Sequence, residues 1–119
     1  MNNIARPTSL KKQAAFKQVY SRGRYAADSL FVVYALASEA TGNRLGISVS
    51  KKVGNAVVRN RVRRWLKESY RQLASSQVIS GVGYDLIIVA RAPSGKLDRD
   101  GAFHTVCASL TRLFRKLKV

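Results

Sequence analysis

The chain has 119 residues, the length of a single domain, and 46% of them are apolar, which excludes a wholly disordered basic tail. Its 22 Lys and Arg residues stand against six Asp and Glu residues and give a formal net charge of +16, which favours a polyanionic partner such as a nucleic acid. The sequence contains neither an apolar window long enough for a membrane span nor the apolar core of a signal peptide, and a single Cys107 excludes an intrachain disulfide. We therefore expect one cytoplasmic domain over residues 1–119 with no membrane partner.

The first predicted elements are a loose tail over residues 1–8 and a helix that Ser9 caps and that ends near Arg22, before a glycine. Phe16 and Tyr20 are four residues apart and share the apolar side of this helix. The pattern leaves two interpretations open. The rings either pack into a core or form a platform on which unpaired bases stack.

Three strands are predicted to follow the first helix. Residues 24–27 form a short edge strand, and residues 30–37, LFVVYALA, are rich in β-branched and aromatic residues. Residues 43–50 alternate between apolar and polar positions, which predicts a sheet with one apolar and one polar face. A Thr-Gly-Asn turn at residues 41–43 indicates that the two longer strands form a hairpin. Periodicity alone does not decide whether the ring of Tyr34 meets the core or a nucleic acid.

The most informative segment is residues 51–71, KKVGNAVVRNRVRRWLKESYR, which holds eight Lys and Arg residues and one acidic residue. A helix from Asn55 or Ala56 to Ser75 divides this segment into two sides. The apolar stripe consists of Val58, Val62, Trp65, Leu66, Ser69 and Leu73. The opposite side carries Asn60, Arg63, Arg64, Lys67 and Arg71, with Arg59 and Arg61 near the borders of the stripe.

Such a helix can pack its apolar stripe on a core and present its cations to a ligand. Arg outnumbers Lys in the segment, and the planar fork of the guanidinium matches phosphate oxygens. The alternative is a merely solvated face, but the run is periodic and nearly single-signed, so we favour RNA as the ligand. The amide of Asn60 can bond a sugar, a base edge or a hydrated metal ion, or it is simply a polar residue of the first turn.

The remaining pattern completes the predicted fold. Residues 84–90, YDLIIVA, form the most apolar strand and are expected at the centre of the sheet. A turn at residues 93–95 leads to a last helix whose apolar stripe runs from Phe103 to Leu117. The order α-β-β-β-α-β-α predicts an α+β fold, a two-layer α/β sandwich with a mainly four-stranded sheet.

Groups that could carry catalysis or hold a metal ion are scarce. Asp98 and Asp100 are the only close pair among the six acidic residues, and we interpret them as charges that favour the start of the last helix. His104, the single histidine, lies off the apolar stripe, while Cys107 lies on it as a small core residue. The sequence therefore predicts no catalytic residue and no metal site in the protein, and a nuclease that acts alone is poorly supported.

Residues 45–71 resemble the signature of the bacterial ribonuclease P protein component, above all in the string KKVGNAVVRNR at residues 51–61. The resemblance extends to the aromatic pair before Gly23, to the LFVVYAL and DLIIVAR strands and to the closing FHTVCASLTRLFRKL helix. It implies a sandwich with a left-handed crossover and an accessory protein that binds one large catalytic RNA. That ribonucleoprotein removes the 5′ leader of precursor tRNA with Mg²⁺ ions held mainly by the RNA. The protein alone is expected to be monomeric.

The resemblance also implies roles for individual residues. The basic helix and the loop before it would bind the catalytic RNA through Lys51, Lys52, Arg59, Asn60, Arg61, Arg63, Arg64, Lys67 and Arg71. A cleft between the first helix and the sheet would hold the single-stranded leader on Phe16, Tyr20, Tyr34 and Ser48. Two departures from the family pattern are mild, because Tyr20 replaces a frequent Phe with another ring and Arg63-Arg64 replaces Lys-Arg without loss of charge. The competing class is a simple RNA-binding module, such as a ribosomal protein, with no effect on precursor tRNA cleavage.

Overall fold

The structure is a computed structural model that describes residues 8–10, 13–39, 42–79 and 83–119. The strands are β1 (Thr8–Ser9), β2 (Arg24–Ala27), β3 (Phe31–Ala37), β4 (Arg44–Val49) and β5 (Tyr84–Ala90). The helices are α1 (Gln13–Arg22), α2 (Ala56–Ser75) and α3 (Ala102–Leu117), with a 3₁₀ turn at Ala92–Lys96. The predicted α+β fold is confirmed, because the three helices and the four longer strands follow the order α-β-β-β-α-β-α. β1 adds two residues at one edge of the sheet.

The sheet is mixed, and its strand order is β1-β4-β5-β3-β2. β5 pairs antiparallel with β3 and parallel with β4, so it occupies the predicted central position, and β2 lies at an edge, also as predicted. The predicted hairpin between β3 and β4 is wrong, because β5 lies between these strands. Leu86, Ile87 and Ile88 are fully buried, and a buried strand needs a hydrogen-bonded neighbour on each side. The turn signal at residues 41–43 carries no information on this long-range pairing.

The connection from β4 through α2 to β5 joins two adjacent parallel strands and is therefore a crossover. Its left-handed sense stays a prediction of the resemblance. The crossover brings the chain directly from the end of β4 into the loop at residues 50–55 and then into α2. Residues of β4, of this loop and of the first turns of α2 are thus held close to one another.

The main core lies between the sheet and a layer formed by α2 and α3. Four residues of the predicted α2 stripe are buried, namely Val62, Leu66, Ser69 and Leu73. The other two, Val58 and Trp65, are half-buried. The periodicity did not place Tyr70 on the stripe, but this side chain is buried and its hydroxyl accepts a hydrogen bond from Asn43 Nδ2 at 3.1 Å. The Asn43 side-chain oxygen in turn accepts from the Tyr84 N–H at 2.9 Å, which links α2 to the ends of β4 and β5.

α1 packs on the opposite face of the sheet. Val19 of α1, Leu10 and Ile87 of β5 form a second, smaller buried cluster there. Partly buried side chains pack around it, among them Phe16 and Tyr34. One face of the sheet is thus covered by α2 and α3, while α1 packs on the other.

The N-terminal segment differs from its prediction in one respect. Ser9 does not cap the first helix, because it lies in β1 and pairs with Leu45, and the described helix begins at Gln13. Residues 1–7 of the predicted tail lie outside the described residues, while Thr8 belongs to β1.

A carboxylate ties the turn between β2 and β3 to α3. Asp28 Oδ1 accepts hydrogen bonds from the backbone N–H groups of Leu30 at 2.8 Å and Phe31 at 2.9 Å, and Oδ2 accepts one from the Ser109 hydroxyl. Burial alone would raise the pKa of Asp28, but these hydrogen bonds and the nearby Arg112 guanidinium outweigh it and hold the pKa below its usual value. The ionised form of Asp28 therefore stabilises the fold.

Replacing Asp28 by Asn is expected to lower the free energy of unfolding by about 1–2 kcal/mol at neutral pH, because the charge-assisted hydrogen bonds are lost. The higher free energy of unfolding of the wild type is fully present above the pKa of Asp28 in the unfolded chain, about 3.9. It disappears as the pH falls through the lower folded pKa. Urea unfolding of both proteins, from neutral to strongly acidic pH, measures this difference. A difference that stays constant over the whole range would show that ionisation of Asp28 contributes nothing.

Candidate nucleic-acid interface

The loop between β4 and α2 presents two lysines to solvent. Lys51 and Lys52 are exposed, while the next residue, Val53, is buried in the main core. Gly95 of the 3₁₀ turn permits this close packing, because a Cβ atom at that position would lie 2.0 Å from the Val53 carbonyl oxygen. The buried valine therefore anchors the loop and leaves both ammonium groups available to a ligand.

Asn55 caps α2, whose first residue is Ala56. The Asn55 backbone is extended, and its side-chain oxygen accepts a hydrogen bond from the Val58 N–H at 3.0 Å. The first turn of α2 contains no acidic residue. The positive end of the helix dipole is thus not neutralised within that turn, and it adds to the charge of Lys51 and Lys52.

The cationic residues of α2 lie away from the core, as predicted. The exposed residues, which we call the cationic face of α2, are Asn60, Arg64, Lys67 and Arg71. The half-buried residues on its flanks are Arg59, Arg61 and Arg63. Residues three and four positions apart share a side of a helix, so the four exposed residues form one continuous surface that the flank arginines widen.

Two of the flank arginines, Arg61 and Arg63, are held by contacts with other groups of the protein. Arg63 donates hydrogen bonds to Asn60 Oδ1 at 3.1 Å and to the last carbonyl oxygen of β4 at 3.4 Å. The Arg61 guanidinium lies 5.5 Å from the centre of the Trp65 ring, in cation–π geometry. The Nε atoms of Arg59 and Arg61 are buried without a hydrogen-bond partner among the described residues. Because Arg61 and Arg63 already have these contacts, their side chains lose less conformational entropy when they bind a ligand.

Arg71 differs from the other residues of the cationic face, because it has an acidic partner. It donates two hydrogen bonds to the carboxylate of Glu68, at 2.8 and 2.9 Å. Both side chains are more than half exposed, at 59% and 55%, and an exposed pair of this kind contributes little to stability. Arg71 can therefore exchange Glu68 for a phosphate, but its net contribution to the local charge is smaller than that of Arg64 or Lys67.

Three aromatic rings and a serine meet between α1 and the sheet, and we call this site the aromatic cleft. The ring centres of Phe16 and Tyr20 are 6.2 Å apart, and those of Tyr20 and Tyr34 are 4.9 Å apart in an edge-to-face arrangement. The Tyr20 hydroxyl is hydrogen-bonded to Ser48. Burial raises the pKa of Tyr20 despite this hydrogen bond, yet 41% of the side chain remains exposed. The structure thus brings together all four residues predicted for the cleft.

The floor of the aromatic cleft is defined by the register of the sheet. Gly46, Ile87, Tyr34 and Tyr25 are paired across β4, β5, β3 and β2. The side chains of the last three therefore lie on one face of the sheet, the face on which Phe16 packs against Gly46. The ring of Phe16 lies directly on Gly46, where a Cβ atom would be 2.5 Å from Phe16 Cζ. A glycine is therefore required at position 46 for α1 to approach β4 this closely.

Sequence reasoning missed two features of this face. Tyr25 is 66% exposed, and its ring centre lies 5.7 Å from that of Tyr34. Arg44 donates to both carboxylate oxygens of Asp85, at 2.7 and 2.6 Å, and this bond raises the pKa of Arg44. The Tyr25–Tyr34 contact and the Arg44–Asp85 ion pair both depend on strand register, which no local pattern reveals.

The close packing at Gly46, by contrast, had a readable signal in the sequence, since a lone glycine inside a strand often marks a close approach of another element.

The residues weighed as catalytic or metal-binding candidates are dispersed. Asp98 and Asp100 are exposed just before α3, and His104 is exposed on that helix. Cys107 is half-buried, and its thiol donates to Ser69 Oγ at 3.3 Å. Within the described residues, no three His, Cys, Asp or Glu side chains are grouped so that they could hold a metal ion. No helix of the described chain has the length and apolar character to cross a membrane.

The fold and this site define a small basic α+β domain that carries a cationic helix and an aromatic cleft on one scaffold. The family model for ribonuclease P matches residues 4–118. The chain belongs to the ribonuclease P protein component family.

Named relatives agree with this assignment. The chain is 44% identical to the ribonuclease P protein component of Caldanaerobacter subterraneus subsp. tengcongensis over 109 residues, which covers 92% of this chain and 88% of the relative. It is 38% identical to that of Clostridioides difficile over 114 residues, covering 96% and 95%. The structure of the Staphylococcus aureus RNase P protein matches with a TM-score of 0.79 at 35% identity, covering 93% of this chain and 95% of that one. The Thermotoga maritima protein matches with a TM-score of 0.74 at 28% identity, covering 87% and 92%.

Proposed function

We propose that this chain is the accessory protein subunit of ribonuclease P. In this function it binds the ribonuclease P RNA and the 5′ leader of precursor tRNA, and it assists the Mg²⁺-dependent cleavage that releases the leader. The observation that carries the proposal is the proximity of two different surfaces. β4 contributes Gly46 and Ser48 to the aromatic cleft, and the loop that follows it presents Lys51 and Lys52 before α2 begins.

Each surface has a distinct ligand in this proposal. The cationic face of α2, its flank arginines and the two loop lysines contact phosphates of the catalytic RNA, since guanidinium and ammonium groups neutralise a phosphate backbone without reading its sequence. The aromatic cleft holds unpaired leader nucleotides, because every base offers a π-face on which a ring can stack. The protein, a monomer when free, thus touches two polyanions at once.

The proposal places the Mg²⁺ ions on the RNA. The donor set of the described residues does not suit a metal site, because no three acidic, His or Cys side chains converge. What the protein contributes is positive charge near phosphates that would otherwise repel one another, and this lowers the Mg²⁺ concentration that the RNA requires.

Reconstitution tests the proposed function. We expect that adding the protein to a bacterial ribonuclease P RNA at low Mg²⁺ increases the rate of 5′ cleavage of precursor tRNA above that of the RNA alone. Polylysine added at the same total charge serves as the control for screening by cations in general. An equal rate with protein and polylysine, or no change with protein, would contradict the proposal and favour a simple RNA-binding module.

A further inference from the structure

An exposed tyrosine at the edge of the sheet continues the aromatic cleft. Tyr25 lies on β2, directly opposite Tyr34 in the antiparallel register, and both side chains are on the face that α1 covers only in part. The neighbouring residues of β2 point the other way: Ala26 is buried in the main core and Arg24 reaches the Leu117 carbonyl oxygen at 2.7 Å. Tyr25 is therefore the aromatic side chain of β2 that faces the cleft.

The geometry of this pair indicates how Tyr25 can bind. Its ring centre is 5.7 Å from that of Tyr34, and the ring planes are inclined by 36°. The two rings are in contact, so no base fits between them. Since 66% of Tyr25 is exposed, its outer ring face is open to a ligand. Arg22, which is exposed in the last turn of α1, is a cation three residues before Tyr25 in the sequence.

We propose that Tyr25 is an additional stacking position for one unpaired nucleotide, which extends the aromatic cleft to the β2 edge of the sheet. This inference rests on the proposed leader-binding function. β2 is three strands away from β4, or about 14 Å at the usual spacing of neighbouring strands. The basic loop and α2 follow β4, so the nucleotide at Tyr25 is farther from the cationic face of α2 than the nucleotides at Tyr20.

The position of Tyr25 predicts a dependence on leader length. Tyr25→Thr removes the ring and keeps a residue suited to a strand. With long leaders, we expect this variant to bind precursor tRNA about fivefold more weakly than the wild type, the lower end of the range for one stacked base. With leaders shortened one nucleotide at a time, the effect should vanish at a length at which Tyr20→Ala still weakens binding. Tyr25→Phe should bind like the wild type.

The experiment separates this inference from the function on which it rests. Binding is measured with the reconstituted particle, with mature tRNA as the reference. If Tyr20→Ala weakens binding and Tyr25→Thr has no effect at any leader length, the additional position is refuted while the cleft stands. An equal loss for Tyr25→Thr with mature tRNA and with every leader would also refute it, because the variant would then disturb the whole protein. If neither variant affects leader binding, the proposed cleft function fails as well.

Discussion

Replacing Arg64 and Lys67 together by Gln is expected to raise the Mg²⁺ concentration required for half-maximal cleavage of precursor tRNA. Both side chains are exposed on the cationic face of α2, so their replacement should weaken ligand binding without disturbing the packing of the core. Affinity for the catalytic RNA decreases with salt concentration, and each phosphate contact adds about 0.7–0.9 to the steepness of this dependence on a log–log scale. If each of the two side chains contacts one phosphate, the dependence in the variant should be shallower by about 1.4–1.8. Cleavage rates over a Mg²⁺ series and RNA binding over a salt series measure the two effects.

The matched control removes the same charge from a different element. Arg115 and Lys116 are exposed in the last turn of α3, and their joint replacement by Gln should leave the Mg²⁺ requirement unchanged. Equal shifts for the two double variants would show that net charge matters and that the position of α2 does not. An unchanged requirement in the α2 variant would rule out phosphate screening by this helix.

The parts of the fold that were predicted correctly are those with local causes. The bounds of α2 follow from a cap at Asn55 and from an apolar stripe that repeats with the period of the helix. The central position of β5 follows from an unbroken apolar run, which is typical of a strand buried on both faces. The pairing of β3 and β4 failed as a prediction, because β5, which separates them, comes about 35 residues after β4 in a parallel arrangement that a short turn cannot produce.

In the candidate site, too, features with a local cause were predicted, whereas features that depend on contacts between distant elements were missed. Helical periodicity predicted that Arg64, Lys67 and Arg71 would be exposed and that Arg59 and Arg61 would lie on the flanks. It also placed Arg63 on the exposed side, but this side chain is half-buried because it reaches the last carbonyl oxygen of β4. Periodicity did not predict Tyr70, because this residue is buried by its contacts with Asn43 and Phe114, which come from other elements. The contact of Tyr25 with Tyr34 and the ion pair of Arg44 with Asp85 likewise arise only when the strands pair in one register.

The two proposed binding surfaces are coupled through β4. Gly46 and Ser48 belong to the floor of the aromatic cleft, while the last carbonyl of the same strand accepts a hydrogen bond from Arg63 of α2. Val53 then fixes the connecting loop in the core. The distance between the cleft and the cationic face is therefore set by a buried sheet and not by a flexible linker. A fixed distance is what a protein needs if it is to hold the leader while it contacts the catalytic RNA near the cleavage site.

Replacing Tyr20 by Ala is expected to weaken the binding of precursor tRNA by the reconstituted particle and to leave the binding of mature tRNA unchanged. Stacking on one ring contributes ~1–3 kcal/mol, which corresponds to roughly 5- to 150-fold in affinity. We expect the lower part of this range, because Tyr20 also contacts Phe16 and Tyr34 and only part of its ring is free. Equilibrium binding with the two tRNA forms in parallel measures the difference.

Two further variants decide whether the geometry of the aromatic cleft is responsible for the preference for precursor over mature tRNA. Gly46→Ala adds a methyl group where Phe16 lies, with only 2.5 Å between the new Cβ and Phe16 Cζ, so this ring must move and the selectivity for precursor should fall. Tyr20→Phe removes only the hydroxyl that is bonded to Ser48 and should keep that selectivity, because the stacking surface is unchanged. Equal losses for precursor and mature tRNA in Tyr20→Ala would contradict leader binding in this cleft. A loss in Tyr20→Phe as large as that in Tyr20→Ala would instead assign the effect to the hydrogen bond with Ser48, because stacking does not depend on the hydroxyl.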